Sequence, residues 1–296
     1  MALSSQSRRT QPRQLFQEHE RLFASNRFVY PVLSRRAGGI SVGVNLNPDK
    51  ICNFDCIYCQ VDRTRQSETR FVETDQLVEE LDKMLSLVTS GEIFQSEKFR
   101  ETPDSLRRLT DIALSGDGEP TTYENFDQII EACSEVKRRH ELDDVKMVLI
   151  SNATMFHREH VQRGLRILDE NQGEIWAKLE FGTEAYYRLV TRASIPLERV
   201  LENITSAAMI RPIVIQSLFM RIDGEGPPDE ELEAFCQRLS DLVGAGGKIK
   251  LVQIYTVARR PAESFVRPLS PSQVDALVEL VRRRTGLEVV GYYGFE

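Results

Sequence analysis

The 296-residue chain has no apolar run approaching the roughly 18 residues that a membrane-spanning helix requires. Its first residues include no apolar stretch of the kind a secretory signal needs, so no export signal is expected. Positive charge is the minority sign. The chain has 38 Lys and Arg against 45 Asp and Glu, a formal charge of −7, which argues against coating nucleic acid through bulk charge. A local basic patch stays open. Collagen-like, coiled-coil and wholly disordered chains are excluded by the same composition. With 41% apolar and 28% charged residues, an ordinary soluble globular core can form. The length suits two domains or one α/β barrel.

Charge is unevenly placed. Residues 1–36 carry seven Arg, no Lys and two Glu, a balance of +5. They read as a basic N-terminal extension with a short helix near 13–24. Residues 37–296 read as one core domain built on a βα rhythm, closing with a helix and a short final strand. Strand patterns fall at 40–46, 110–115, 145–151, 174–181, 212–221, 249–256 and 287–293. Helical patterns fall between them at 74–88, 123–139, 156–170, 183–190, 196–209, 229–243 and 271–284. The polar stretch 91–109 reads as a loop or a short added element. Six βα units without a linker imply a parallel sheet with right-handed crossovers. That number suits a single-domain partial (β/α)6 TIM-like barrel of the α/β class better than a flat, doubly wound sheet.

Cysteine is scarce, at 5, yet three fall in one short stretch, Cys52-Asn-Phe-Asp-Cys56-Ile-Tyr-Cys59. The stretch follows a strand, and Asn53 and Asp55 mark it as a loop, so inert buried thiols explain it poorly. A disulfide would leave one thiol over and suits a secreted chain. Structural zinc wants four ligands, usually as two separated pairs. The remaining Cys133 and Cys236 lie on apolar helical stripes, where free cysteine is ordinarily core. Three thiolates in a tight loop suit a cubane iron–sulfur cluster with one iron open to a non-protein ligand.

This spacing, with the aromatic Tyr58 before the third cysteine, resembles the signature of radical S-adenosylmethionine (radical SAM) enzymes. In that family the loop follows the first strand of a (β/α)6 partial barrel. The resemblance implies a [4Fe-4S] cluster on Cys52, Cys56 and Cys59, its open iron chelated by the amino and carboxylate groups of S-adenosyl-L-methionine (SAM). The reduced cluster gives an electron to the sulfonium, and the resulting 5′-deoxyadenosyl radical abstracts a substrate hydrogen. Tyr58 is expected near the adenine. At the end of the second strand, Gly116-Asp117-Gly118-Glu119-Pro120 resembles the family's Gly-Gly-Glu-Pro element. That element holds the methionine ammonium through backbone carbonyls and the acidic side chain. Asp117 stands where many members have glycine.

Other strand ends follow the same logic, since the C-terminal face of a barrel carries ligand contacts. Ser151 and Asn152 resemble the family's ribose-contacting position, or form an Asx turn. Lys178 and Glu180 share one face of the fourth strand. Facing inward, they must be paired or functional; facing outward, they form a surface pair. Gln216 and Arg221 on the fifth strand, with Gln253 and Tyr255 on the sixth, are candidates of the same kind. Lys178, Glu180 and Arg221 are the catalytic candidates, and Gln216 is a cofactor contact.

From about Tyr30 to Arg260 the chain is similar to one subgroup, the wyosine-base-forming enzymes that modify a tRNA guanosine. The two motifs and Gln253-Ile-Tyr-Thr-Val-Ala-Arg259-Arg260-Pro261 carry that similarity. Those enzymes hold a second cluster on further cysteines, whereas only Cys133 and Cys236 remain here. Three readings follow. The substrate is RNA or a nucleoside, with Arg63, Arg65, Arg70 and the N-terminal arginines on phosphates. Or it is a small molecule, a peptide or a partner enzyme. Or, in a different class, the chain is a non-catalytic metal-binding module. The resemblance also implies a reductant such as flavodoxin or ferredoxin, and an oxygen-sensitive open iron points to a cytoplasmic setting.

Overall fold

The computed structural model describes Phe23 and residues 25–34, 36–63 and 69–294. The strands are β1 (Val29–Ser34), β2 (Gly39–Val44), β3 (Leu109–Leu114), β4 (Lys146–Ser151), β5 (Gly173–Lys178), β6 (Ile213–Leu218), β7 (Met220–Ile222), β8 (Ile249–Tyr255), β9 (Val266–Pro268) and β10 (Val289–Tyr292). The α-helices are α1 (Thr74–Thr89), α2 (Phe126–Arg139), α3 (Glu159–Glu170), α4 (Glu184–Thr191), α5 (Leu197–Ile210), α6 (Asp229–Gly244) and α7 (Pro271–Thr285). One sheet runs in the order β1-β2-β3-β4-β5-β6-β8-β10. β1 is antiparallel to β2, and every other neighbouring pair is parallel. The sheet curls, so that Tyr30 and Val32 of β1 and Tyr292 of β10 line one cavity with residues of the central strands. Each of β2 to β6 and β8 leads into helix, giving the partial (β/α)6 barrel that the βα rhythm predicts.

Period-two alternation builds two apolar layers. Ile112, Leu114, Met147, Leu149, Ile175, Ala177, Ile213 and Ile215 face the helices in the main core. The residues between them, Ala113, Val148, Trp176 and Val214, make a separate small cluster inside the curl. A parallel sheet covered on both faces needs such near-continuous apolar strands. α7 starts with a capping box between Ser270 and Gln273 and stops at Gly286, which takes the left-handed conformation at φ 70°.

Two differences from the sequence pattern have local causes. Residues 29–34, within the basic stretch 1–36, form edge strand β1 despite Pro31, which an edge tolerates. The buried carboxylate of Glu80 on α1 fixes the start of that strand by accepting the N–H groups of Arg27, Phe28 and Val29. The apolar run 212–221 predicts one strand, but the main sheet ends at Leu218. Phe219 N–H then bonds to Tyr255 O at 2.9 Å, and the chain turns into β7, which pairs with β9 outside the main sheet. The stretch 91–109 is, as expected, mostly loop, with two added 3-10 turns, Glu92–Gln95 and Asp104–Leu106. The helix expected at 13–24 lies outside the described residues except for Phe23, which bridges to Asn26.

Candidate functional site

A cavity of about 290 Å³ opens among the C-terminal ends of the strands and reaches into the curl of the sheet. Cys52, Cys56, Tyr58 and Cys59 line it, facing Gly116, Asp117, Gly118 and Glu119. Asn152, Lys178 and Gln216 complete the predicted set on its wall. Ser151, Glu180 and Arg221 do not reach it.

The cysteine loop is shaped by what lies between its thiols. Phe54 and Ile57 are buried in the main core, and Phe54 meets Tyr187 edge-on at 5.8 Å. Asp55 N–H donates to Thr191 O and Ile57 N–H to Val190 O, both at 2.9 Å, so the end of α4 fixes the loop backbone. Cys59 N–H closes back on Cys56 O. The anchors turn the three thiols to the cavity, each half-buried and none in a disulfide. Burial pushes the Cys52 and Cys56 thiols above their ordinary range. Binding a metal there would therefore release protons.

Among the described residues, no three His, Cys, Asp or Glu side chains are arranged to hold a single metal ion. A cubane makes a different demand, because each thiolate binds its own iron and the sulfurs surround a volume. Cys133 and Cys236 are buried in the main core on α2 and α6. The three thiols of the loop fit a cluster that keeps one iron open, and the fit requires no fourth protein thiolate.

The Gly116–Pro120 turn is locked to the cysteine loop and to β2. An ideal Cβ on Gly118 would fall 2.1 Å from Ile51 O, and one on Gly116 would fall 2.1 Å from Asn45 Oδ1. Glycine is required at both for this close approach. Asn45, just past β2, takes the Asp117 N–H on its Oδ1 at 3.1 Å and donates its Nδ2 to Asp117 Oδ2 at 2.8 Å. The Glu119 carboxylate is 3% exposed. It accepts from Thr121 N and Oγ1, Ser151 Oγ and Asn152 N. Asn152 Oδ1 accepts from Thr154 N at 3.1 Å, which is the Asx turn, and Nδ2 donates to Asn53 Oδ1 of the cysteine loop at 2.8 Å.

Deeper in, Tyr58 is buried and its hydroxyl donates to Glu180 Oε2. Glu180 lies two residues past the end of β5 and is 1% exposed, with no hydrogen-bond partner on Oε1 among the described residues. Burial pushes its carboxyl up to about 7, although Lys178 works the other way. The Lys178 ammonium sits 5.9 Å from the Tyr58 ring centroid. Burial works against its charge, but Tyr255, Glu180 and the cysteines outweigh burial and hold its pKa above the ordinary lysine range. Gln216 donates to Gln253 Oε1 at 2.9 Å on the inner wall. Arg221 lies on β7, where its Nε donates to Pro268 O at 3.0 Å. Arg63 donates to Phe54 O and approaches Asp55 at 3.7 Å, Arg70 is exposed, and Arg65 falls outside the described residues.

Three residues that sequence reasoning passed over also shape the site. Asn45 could have been found, because it follows the end of β2 as the other site residues follow theirs. Arg36 and Trp176 could not: the Arg36 guanidinium lies 5.6 Å from Trp176 and 5.1 Å from Tyr255, contacts made only by the curl of the sheet.

Comparison with known proteins bears on this geometry. Residues 46–239, which contain both motifs, match the Radical SAM superfamily model. A UPF0026 protein of Helicobacter pylori is 28% identical over 185 residues, 61% of this chain and 51% of that protein. One of Methanocaldococcus jannaschii is 26% identical over 58% of this chain and 47% of that protein. A Brachyspira hyodysenteriae protein named GTPase Obg is 21% identical over 88% of this chain but 34% of its own length. The chain thus spans between about a third and a half of these curated relatives. A solved structure of TYW1 with a lysine–pyruvate adduct bound matches with a TM-score of 0.51 and 14% identity, covering 86% of this chain and 76% of that one. At that identity the likeness is one of fold. No described helix is long and apolar enough to cross a membrane. With the family match covering well over half of its length and both motifs at the ends of barrel strands, the chain belongs to the radical SAM superfamily of enzymes, which work with SAM and an iron–sulfur cluster.

Proposed function

We propose that this enzyme holds a [4Fe-4S] cluster on Cys52, Cys56 and Cys59, binds SAM beside it, and modifies RNA or a nucleoside. The carrying observation is that three half-buried thiols and the Gly116–Pro120 turn share one cavity and touch at Gly118 and Ile51. When bound and reduced, the cluster supplies the one electron that splits SAM into methionine and a 5′-deoxyadenosyl radical, which takes a hydrogen atom from substrate. The chain's own residues hold and orient. α4 fixes the cysteine loop through Asp55 and Ile57. Glu180 holds the Tyr58 ring in place, and Lys178 sets a cation near the cysteines. An external one-electron donor such as flavodoxin or ferredoxin and a reducing, cytoplasmic setting follow from that chemistry.

The RNA or nucleoside substrate is supported by the fold shared with TYW1 and by Arg63 and Arg259, whose cations line the cavity where a phosphate could be met. Lys178 favours a second reading, a small carboxylate-bearing substrate: its ammonium faces the cavity and forms no ion pair among the described residues. Anaerobic reconstitution tests the cofactors, with iron, sulfide and zinc assayed per chain. Iron and sulfide are expected; zinc in their place would turn the reading to a metal-binding module. Formation of 5′-deoxyadenosine from SAM, measured with and without bulk tRNA, tests the substrate. Stimulation by tRNA is expected, and its absence at low salt would move the reading to a small molecule, peptide or partner enzyme.

A further inference from the structure

Arg36 stands apart from the residues assigned to the cluster and to SAM. It precedes Gly39, the first residue of β2, whereas Cys52 follows the end of the same strand. Arg36 therefore enters the curl from the end of the sheet opposite the cysteine loop, and lines the cavity there with Ser41 and Asp111. Its guanidinium lies 5.6 Å from the Trp176 ring and 5.1 Å from the Tyr255 ring. Aromatic faces steady a cation without neutralising it. Asp111 senses the Arg36 charge, but burial pushes its carboxyl up, and it accepts from Ser41 Oγ and Thr110 Oγ1. Among the described residues Arg36 forms no ion pair.

Lys178 reaches the same cavity from β5, two residues beyond Trp176 and so on the same face of that strand. Both cations act on the hydroxyl of Tyr255, which stays neutral because burial pushes its pKa up to about 12. Two positive charges thus flank one neutral group, in a cavity whose wall includes the apolar Val148, Ile150, Trp176 and Leu218. Cations in such a setting attract an anion more strongly than they do in water. Lys178 also answers to Glu180 and the cysteines, which leaves Arg36 as the leading group. A guanidinium presents its donors as a planar fork, the shape that a carboxylate or a phosphate accepts.

We propose that Arg36, assisted by Lys178, forms an anion subsite at the inner end of the cavity that receives an oxyanion group of the substrate, a carboxylate or a phosphate. This rests on the reading of the cavity as the substrate pocket of a SAM-binding enzyme. The closing experiment titrates acetate and inorganic phosphate, separately, into the anaerobically reconstituted chain, with and without SAM and with no reductant. Chloride at matched ionic strength is the control. Calorimetry gives the Kd, and fluorescence of Trp176, the chain's one tryptophan, reports an anion arriving beside Arg36. Saturable binding beyond chloride is expected with SAM present; acetate alone would assign a carboxylate, phosphate alone a phosphate. Arg36→Gln should weaken it roughly ten- to hundredfold, as loss of charge-assisted hydrogen bonds does. Lys178→Gln should weaken it less, and Arg36→Lys, which keeps the charge and loses the fork, should fall between wild type and Arg36→Gln. Iron per chain and SAM affinity should stay at wild-type values in all three. The proposal is overturned if neither anion saturates beyond chloride, if the Arg36 variants bind it like wild type, or if they weaken SAM as much as the anion. Should Arg36→Gln fail to fold, Arg36→Lys and Lys178→Gln decide in the same way. Wild-type protein that binds no SAM would overturn the underlying reading, while the titration without SAM would still decide the subsite.

Discussion

Gly118→Ala tests whether the two motifs form one unit. The new Cβ would lie 2.1 Å from Ile51 O and 2.7 Å from the Asn47 Cβ. Carbon and carbonyl oxygen normally approach no closer than about 3.3 Å, so the Ile51 carbonyl must withdraw by about 1 Å. It is backbone, and it immediately precedes Cys52. Overpacking of this kind costs roughly 1–3 kcal/mol. The unfolding entropy of a chain this long is on the order of 0.6 kcal/mol per degree, so Tm should fall by about 2–5 °C. Calorimetric melting and iron per chain after reconstitution provide the assay. Iron should drop together with Tm, because the first ligand moves. Gly91→Ala is the control: it has φ 80°, nothing lies within 4 Å of its Cβ, and it sits beyond the end of α1. That variant should lose stability through backbone strain and keep its iron. If Gly118→Ala loses stability yet keeps wild-type iron and SAM affinity, the contact does not position the cluster ligands.

Alanine at Cys52, Cys56 or Cys59 should abolish iron binding, while Cys133→Ala and Cys236→Ala should keep it and cost on the order of 1 kcal/mol through lost packing; iron and sulfide assays decide. The Glu180 carboxyl, raised by burial from 4.5 to about 7, binds a proton in the folded chain that the unfolded chain has lost. Stability of the metal-free protein should therefore fall as pH rises from 4.5 to about 7, by up to roughly 3 kcal/mol. Glu180→Gln should remove that slope in urea titrations across the range, and an unchanged slope would refute the assignment. If RNA is the substrate, each phosphate contact contributes about 0.7 to the log–log salt slope of single-strand binding, so Arg63→Ala with Arg65→Ala should flatten it by about 1.4. An unaltered slope would remove these arginines from the interface.

The parts legible in the sequence are those fixed by local periodicity and strand-end position. The βα rhythm gives the barrel because Val148 and its neighbours must alternate between two apolar layers. Cys52, Gly118, Asn152, Lys178 and Gln216 reach one cavity because each lies at or beyond the C-terminal part of a parallel strand. What stayed hidden depends on tertiary geometry. Arg221 continues an apolar strand pattern that runs on after the main sheet has ended, so the alternation carries no mark of the change to β7. Pro31 makes β1 a poor strand by composition, and only the antiparallel edge and Glu80 admit it. Asn45 and Asp117 are 72 residues apart, and no local signal joins them.

Glu119 shows most directly why the partners of a motif residue stay hidden in the sequence. Burying a carboxylate is unfavourable unless donors surround it. This fold meets that condition repeatedly by giving a buried glutamate to backbone N–H groups. Glu80 serves the start of β1, and Glu231 serves Gly182 and Thr183 ahead of α4. Glu119 does the same for Thr121 and Asn152, where β3 and β4 end. In each case the acid is visible in the sequence and its donors are not, because they come from chain segments brought together by folding.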